Sequence, residues 1–433
     1  MPRQDRPVAG AEKRGRDGIC NKGIVRSTKG TIQMDKALAE LIKISNVTGK
    51  DPTLVQGGGG NTSVKTADGK YMYIKASGTA LKDMNEKEGW RRMRLEPVLS
   101  ILTDKSLPKM DVSKREPEVV NRLLLACDDN VKTIARPSVE AHLHACLDKC
   151  VIHLHPSAAG AYVNAKNGKA KLEKLFKDES YPPLWVPYTD PGYMLAKRIA
   201  GLVDGYQKQF GEKPAILFLE KHGLFITTKT ATGALRLVRR VMNRCNSKLR
   251  QPKLASAKSV KQEIISDVKL CIEKAYFEAT GKHTTIWYYY NDAIADFLRQ
   301  KDAKKMLNGS LTPDELVYAN GPAMWVELQK SRKSQLGTPV ERCDSQSIAN
   351  WLKRQIERGR KPSAAFLVKG VGLFVAGTEK IAPTVRDIVL YSIFIRTNAH
   401  RMGGILTLNK RQEDFINNWE SEAFRKKLAS GQN

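Results

Sequence analysis

The chain has 433 residues, 41% of them hydrophobic, and its 73 lysines and arginines outnumber its 45 acidic residues by 28. This length predicts two or three domains, and we see neither an apolar run long enough to span a bilayer nor a secretory signal at its start. The charge would attract phosphates or nucleic acid, but no nucleic-acid-binding motif accompanies it, so we do not expect nucleic acid as a partner. The seven scattered cysteines are typical of free thiols in a reducing, cytoplasmic compartment, and the only close pair, Cys146 and Cys150, has the spacing of one helix face.

The first 33 residues are polar, rich in glycine and arginine, and without periodicity, so we expect a disordered basic tail. From Met34 the sequence becomes amphipathic with the spacing of a helix. One hypothesis is that the natural chain begins at Met34, and N-terminal mass spectrometry of the native protein tests it.

A run of four glycines ends at Gly60 and is followed by Asn61. Backbone N–H groups in such a loop can surround an anion, although flanking strands distinguish the segment from a P-loop or a Rossmann turn. The Asp68–Gly69 pair predicts a hairpin turn that brings the strand beginning near Asn61 beside a strand ending near Lys75. The glycine run and the end of the second strand are therefore expected to be neighbours.

Residues 136–156 hold four of the seven histidines. His153 and His155 lie in a strand-forming segment, where residues two apart point to the same face. Two imidazoles in that arrangement can share one metal ion, but such a pair alone is explained as well by a wet sheet face. His142 and His144 lie on a predicted helix, where residues two apart do not face each other, so we leave them out of the site.

A catalytic zinc site uses three protein ligands and keeps one position open, and His222 is the candidate third ligand. It precedes Gly223 at a break between two apolar strands, where glycine permits a close approach of the backbone. Glu140 lies at a predicted helix start that Ser138 can cap. Its carboxylate can stabilise the first turn of the helix, and it can also transfer protons beside a metal. The two roles are compatible.

These motifs, in this order, resemble the class II aldolase/adducin family of zinc-dependent sugar-phosphate aldolases and epimerases. The resemblance rests on a serine and a glutamate two residues apart (Ser138 and Glu140), the His153 and His155 pair, a downstream His222 before glycine, and the glycine loop upstream. Residues 74–79 match a second element on the phosphate side. From about residue 34 onward the chain also resembles the aldolase portion of bifunctional rhamnulose-1-phosphate aldolase/lactaldehyde dehydrogenases.

The resemblance implies a cytoplasmic metal-dependent aldolase that cleaves a ketose 1-phosphate, similar to rhamnulose or fuculose phosphate, into dihydroxyacetone phosphate and an aldehyde. It implies Zn²⁺, or another divalent metal, on His153, His155 and His222, with Glu140 as the acid and base. Tyr188 is a weaker candidate for protonating the other substrate oxygen. The implied phosphate-binding residues are Gly60, Asn61, Lys75, Ser77, Gly78 and Ser138.

The implied fold is a three-layer α/β/α domain with a central mixed, largely antiparallel sheet over residues 34–255, followed by a C-terminal α/β extension over 256–433. Residues 361–375 echo the hairpin that carries His222, but valine stands at the histidine position, so we expect a non-catalytic repeat. No G-x-G-x-x-G segment with strand and helix context is present, so we expect no NAD. Family sites lie near subunit interfaces, which implies a homo-oligomer.

Two alternatives remain open at this point. Epimerase or dehydratase chemistry on the same scaffold also uses a metal and proton transfer. A catalytically silent, adducin-like interaction module needs none of the three histidines and no Glu140.

Overall fold

The structure, a computed structural model, describes residues 24–26, 32–129, 135–254, 260–330 and 341–419. Its strands are β1 (Ile24–Arg26), β2 (Ile32–Met34), β3 (Asn61–Lys65), β4 (Tyr71–Lys75), β5 (Trp90–Arg94), β6 (Cys150–Leu154), β7 (Leu184–Val186), β8 (Ile216–Leu219), β9 (Gly223–Thr228), β10 (Ile286–Tyr289), β11 (Met324–Val326), β12 (Gln329–Lys330), β13 (Glu341–Arg342), β14 (Ala365–Val368) and β15 (Gly372–Ala376).

The α-helices in the same ranges are α1 (Lys36–Gly49), α2 (Leu95–Thr103), α3 (Val112–Leu125), α4 (Ala141–Cys146), α5 (Ser157–Val163), α6 (Gly168–Leu175), α7 (Tyr193–Phe210), α8 (Ala231–Asn246), α9 (Gln262–Thr280), α10 (Asp292–Leu298), α11 (Ala303–Met306), α12 (Pro313–Ala319), α13 (Ser345–Glu357), α14 (Ala382–Arg401) and α15 (Lys410–Asn418). Short 3₁₀ turns occupy Leu81–Asp83 and Leu107–Lys109. None of the helices in the described ranges is both long and apolar enough to cross a membrane.

Seven strands form the central sheet in the order β5-β4-β3-β6-β9-β8-β7. Every neighbouring pair is antiparallel except β7 with β8. Side chains alternate along β6, so that Cys150, Ile152 and Leu154 pack in the core with α1, α5 and α8, whereas Val151 packs with α4 and α7 on the opposite face. The architecture is the expected three-layer α/β/α arrangement with a mixed, largely antiparallel sheet.

The predicted hairpin between β3 and β4 is confirmed. Gly69 has a φ of 69°, which favours glycine, and the Asp68 carboxylate accepts a hydrogen bond from the backbone N–H of Lys70 at 3.1 Å. The antiparallel register places the start of β3 at Asn61 on the same edge as the end of β4 at Lys75. This edge borders the site described below.

A second sheet, in the order β10-β15-β14-β11, lies in the C-terminal region. It repeats the order β6-β9-β8-β7, again with one parallel pair at the same edge. Leu219 pairs with Gly223 where the first hairpin closes, and Val368 pairs with Gly372 where the second closes. The similarity that the sequence showed over one hairpin therefore extends to four strands.

The second sheet carries other side chains at the histidine positions. Val371 precedes the closing glycine of its hairpin as His222 does in the first. Tyr288 occupies the position of His153, since each lies opposite a phenylalanine of the adjacent strand. The Tyr288 hydroxyl donates a hydrogen bond to the carbonyl of Val371 at 2.9 Å. In the second sheet, the positions that correspond to His153 and His222 are therefore joined by a hydrogen bond between uncharged groups.

Two short strands lie within or next to the segment where we expect a disordered tail. β1 and β2 pair antiparallel, with Met34 opposite Ile24. The first helix begins two residues after Met34, because Asp35 caps it by accepting a hydrogen bond from the backbone N–H of Ala37 at 2.8 Å. The boundary expected at residues 33 and 34 therefore lies within a strand, and the remainder of the expected tail lies outside the described residues.

Two predictions about cysteines were wrong. Cys271 and Cys343 form a disulfide rather than free thiols, a pairing that their separation of 72 residues conceals in the sequence. Cys146 ends α4 and Cys150 begins β6, so they do not share a helix face. The remaining described cysteines are free, and Cys20 lies outside the described residues.

Candidate metal centre

Three histidines converge at one end of the central sheet. His153 lies in β6, His155 directly follows that strand, and His222 directly precedes the adjacent antiparallel strand β9. Their ring centroids are separated by 4.9 Å (His153 to His155), 5.0 Å (His153 to His222) and 5.1 Å (His155 to His222). One ring nitrogen from each lies within 4.8 Å of those of the other two. The structure thus brings together the three residues that the sequence predicted as ligands.

Gly223 permits this convergence. A Cβ atom at this position would lie 2.6 Å from the carbonyl oxygen of Leu154 and 2.7 Å from Cδ2 of His155, both closer than real Cβ contacts. Its φ is outside the left-handed region, so close approach rather than backbone conformation requires glycine here. Any larger residue would displace the strand or the His155 ring.

Carboxylates hold two of the imidazoles by their Nδ1 atoms. The Nδ1–H of His153 donates to Oε2 of Glu140 at 2.8 Å, and that of His155 donates to Oδ2 of Asp314. An Nδ1–H that binds a carboxylate fixes the tautomer in which Nε2 carries the lone pair. In His153 this Nε2 is buried and has no hydrogen-bond partner.

These residues fit a divalent metal ion. Burial lowers the pKa of His222 to about 3 and also lowers the pKa of His153, against the opposing effect of Glu140, so both rings are neutral near pH 7. Neutral imidazole is the form that binds a metal, and a buried nitrogen without a partner is costly unless something occupies it. Three imidazoles, two of them with a carboxylate on the far nitrogen, are a donor set suited to Zn²⁺.

Glu140 lies against the histidines at the start of α4. Its Oε2 also accepts a hydrogen bond from Nδ2 of Asn61 at 3.2 Å, and its own backbone N–H donates to the Ser138 hydroxyl at 3.2 Å. Burial alone would raise the pKa of Glu140, but its interaction with the Nδ1–H of His153 outweighs burial and holds that pKa well below its ordinary value. The carboxylate is therefore ionised beside the three rings.

The six predicted phosphate-binding residues line one cavity together with the three histidines and Glu140. The Lys75 ammonium donates to the carbonyls of Gly58 at 3.0 Å and Gly60 at 3.1 Å, so it fixes the shape of the glycine loop. Gly60 has a φ of 74°, which favours glycine at this bend. The loop is thus held in one conformation at the mouth of the histidine cluster.

The other phosphate-side residues meet across two chain segments. The backbone N–H of Ser77 donates to the carbonyl of Arg136 at 2.8 Å, and that of Ser138 donates to the carbonyl of Lys75 at 3.1 Å. The Nδ2 of Asn61 donates to the Ser138 hydroxyl. This pairing places the segment with Ser77 and Gly78 beside the segment with Ser138 and Glu140.

Tyr188 is not among the residues that line this cavity. Its hydroxyl donates to Oδ1 of Asp190 at 3.2 Å, and the Asp190 carboxylate also accepts from Arg411 at 2.8 Å. Burial raises the pKa of Tyr188, and the neighbouring Asp190 carboxylate raises this pKa further. Its suggested catalytic role stays a prediction that this arrangement does not support.

Sequence reasoning missed several residues that the structure brings to the site. Asp314, Pro313 and Trp419, from the C-terminal region, line the cavity. His144, set aside because of its helix position, offers a nitrogen within 4.8 Å of Glu140 and His153, while its Nδ1 contacts the Ser63 hydroxyl at 2.9 Å. No spacing rule connects Asp314 to His155, which lies 159 residues earlier.

Comparison with known proteins assigns residues 39–249 to the family model described as Class II Aldolase and Adducin N-terminal domain. A curated protein from Bacillus subtilis (strain 168), "Uncharacterized oxidoreductase YuxG", is 25% identical over 429 residues, covering 92% of this chain. The chain spans 59% of the length of that relative.

Two solved structures are similar over about half of the chain. The N-terminal class II aldolase domain of a conserved protein from Thermoplasma acidophilum is 26% identical, with a TM-score of 0.41 and coverage of 52% of this chain and 100% of that one. The L-fuculose-1-phosphate aldolase from Thermus thermophilus is 16% identical, with a TM-score of 0.30 and coverage of 48% and 94%.

Proposed function

Residues 39–249 belong to the class II aldolase and adducin family, and from this premise we propose that the protein is a divalent-metal-dependent aldolase, a carbon–carbon lyase. Its substrate is a ketose 1-phosphate similar to fuculose or rhamnulose phosphate, and its products are dihydroxyacetone phosphate and an aldehyde. The observation that carries the proposal is the convergence of three histidines beside an ionised glutamate in the cavity lined by the glycine loop.

His153, His155 and His222 are the proposed ligands of Zn²⁺ or another divalent metal. When bound, such an ion supplies Lewis-acid stabilisation of the negative charge that develops on the substrate oxygens. The carboxylates of Glu140 and Asp314 hold two of the rings in the tautomer that leaves Nε2 available.

Glu140 is the proposed proton carrier. In the direction of carbon–carbon bond formation, its ionised carboxylate removes a proton from the carbon next to the ketone. In cleavage the protonated acid returns that proton to the same carbon, as microscopic reversibility requires. Asn61 and His153 hold the carboxylate in place through its Oε2, so it meets the substrate in a defined orientation.

The phosphate is proposed to bind at Gly60, Asn61, Ser77, Gly78 and Ser138. Backbone N–H groups of a glycine loop can converge on an anion, and small residues on both segments leave room for it. Lys75 contributes a positive charge beneath the loop, where its ammonium already binds two loop carbonyls. The net charge of +28 favours the approach of an anionic substrate.

The direct test incubates the zinc-loaded full chain separately with L-fuculose 1-phosphate and L-rhamnulose 1-phosphate and measures release of dihydroxyacetone phosphate. We expect release with at least one sugar, loss of activity with a chelator, and recovery when metal is returned. A change in sugar configuration or loss of water without triose release, seen by NMR, would establish epimerase or dehydratase chemistry instead. A metal-loaded chain that leaves a panel of ketose phosphates unchanged would favour a silent interaction module.

The proposal includes assembly into a homo-oligomer. Sedimentation or light scattering of the purified chain tests it, and a monomer at working concentration would contradict it.

A further inference from the structure

Asp314 connects the C-terminal region to the histidine cluster. Its Oδ2 accepts a hydrogen bond from Nδ1 of His155, and the two side chains are only 3% and 8% exposed. The glycine loop closes over this contact, because a Cβ on Gly59 would lie 3.7 Å from Oδ2 of Asp314 and 3.9 Å from Nδ1 of His155. The hydrogen bond is therefore formed in a water-poor space between the two halves of the chain.

The helix that carries Asp314 has a strongly defined start. Thr312 caps α12 by accepting a hydrogen bond from the backbone N–H of Glu315 at 3.4 Å, and Pro313 occupies its first position. The Glu315 carboxylate accepts from the backbone N–H of Leu311 at 2.6 Å. These contacts fix the first turn of the helix, and with it the direction of Asp314.

A buried ion pair anchors this turn to the long helix α14. The guanidinium of Arg396, which is fully buried, donates to both carboxylate oxygens of Glu315 at 2.9 Å. It also donates to the carbonyls of Met306 at 2.6 Å and Gly309 at 2.8 Å. These contacts of Arg396 hold the loop before α12 and the first turn of that helix in place. Asp314 is the side chain of this turn that lines the cavity.

We infer that Asp314 is a positioning residue for the metal ligand His155, and that the C-terminal region thereby completes the metal centre of the aldolase domain. This inference rests on the proposed function. A carboxylate on the far nitrogen of a metal-binding histidine fixes the tautomer and ring orientation and makes the other nitrogen a better ligand. His153 has Glu140 in this role, and His155 has a residue from outside the matched domain.

The test measures zinc affinity of the full chain, by competition with a chromophoric chelator, for the wild type, Asp314→Ala and Asp314→Asn. We expect Asp314→Ala to weaken affinity roughly 10–100-fold. Asp314→Asn should lose less, because its amide oxygen still accepts from Nδ1–H. Visible absorption of the Co²⁺ form should change in both variants, which a purely structural role would not produce.

Asp296→Asn is the matched control, because Asp296 is another buried aspartate of the C-terminal region and pairs with Arg250 away from the histidines. It should lower thermal stability but leave zinc affinity unchanged. Wild-type affinity in folded Asp314→Ala, or in Asp314→Asn if the alanine variant does not fold, would overturn the inference while leaving the metal site intact. A wild type that binds no metal would instead refute the proposed function, and the inference with it.

Discussion

Oε2 of Glu140 lies 2.8 Å from Nδ1 of His153, so the proposed proton carrier and a proposed metal ligand are held together by one hydrogen bond. Because of this contact, replacing Glu140 by glutamine can distinguish support of the metal ligand from proton transfer. A glutamine at position 140 can still accept from Nδ1–H of His153, but it cannot accept a proton from carbon.

We therefore expect Glu140→Gln to keep its metal and lose cleavage activity by a factor of about 10² to 10⁴, the usual contribution of a positioned acid or base. Metal content and dihydroxyacetone phosphate release measure the two properties separately. Glu173→Gln, an exposed glutamate on α6, is the control and should match the wild type. Full activity in metal-loaded Glu140→Gln would remove Glu140 from the mechanism.

Gly223→Ala should displace the backbone or the His155 ring at the histidine cluster. The added methyl meets the Leu154 carbonyl and the His155 ring, so we expect a loss of about 1–3 kcal/mol in the free energy of unfolding and weaker zinc binding. Gly205→Ala is the matched control, because Gly205 lies within α7 with open space around it. That control should gain about 1 kcal/mol. Equal denaturant midpoints for the two variants would contradict this account of Gly223.

Arg396→Met should be strongly destabilising, because it leaves the Glu315 carboxylate buried without its cation. Removing one partner of a buried pair typically costs about 3–5 kcal/mol. The exposed pair of Arg240 with Glu179 provides the comparison, and Arg240→Met should cost no more than about 1 kcal/mol. Denaturant unfolding of both variants measures the difference, and similar losses would show that the buried pair does not anchor α12.

His142 should make the metal-free protein sensitive to acid. Burial lowers its pKa to about 4 from an ordinary value of 6.5, and Glu140 opposes this only in part. Between these values the unfolded chain binds a proton that the folded chain does not, so the free energy of unfolding falls as pH falls from 6.5 to 4. His142 therefore lowers the free energy of unfolding by about 3 kcal/mol over this pH range.

We expect the free energy of unfolding of His142→Leu, measured with denaturant in the presence of a chelator, to fall by about 3 kcal/mol less than that of the wild type between pH 6.5 and 4. The chelator prevents metal release from contributing to the slope. Identical pH profiles for the variant and the wild type would show that His142 is not the group responsible.

Local rules predicted much of the geometry at the candidate metal centre. The period of two along β6 placed His153 and His155 on one face, and the glycine after His222 indicated the close approach that the structure shows. The turn at Gly69 followed from local turn chemistry. Each of these features depends on residues near one another in the chain, which is why the sequence alone reveals them.

Features that depend on distant contacts were not predictable in this way. The contact between Asp314 and His155 and the disulfide between Cys271 and Cys343 each join segments that only the folded chain brings together. Sequence reasoning also did not assign β5 and α2, because β5 depends on pairing with β4 at the edge of the sheet and the short α2 depends on packing against the sheet.

The central claim is that His153, His155 and His222 hold one catalytic metal ion. Elemental analysis of the folded, metal-supplemented wild type and of His222→Ala tests it most directly. We predict about one divalent ion per chain in the wild type and little or none in the variant. A folded wild type without metal, or a variant that retains it in full, would contradict the claim.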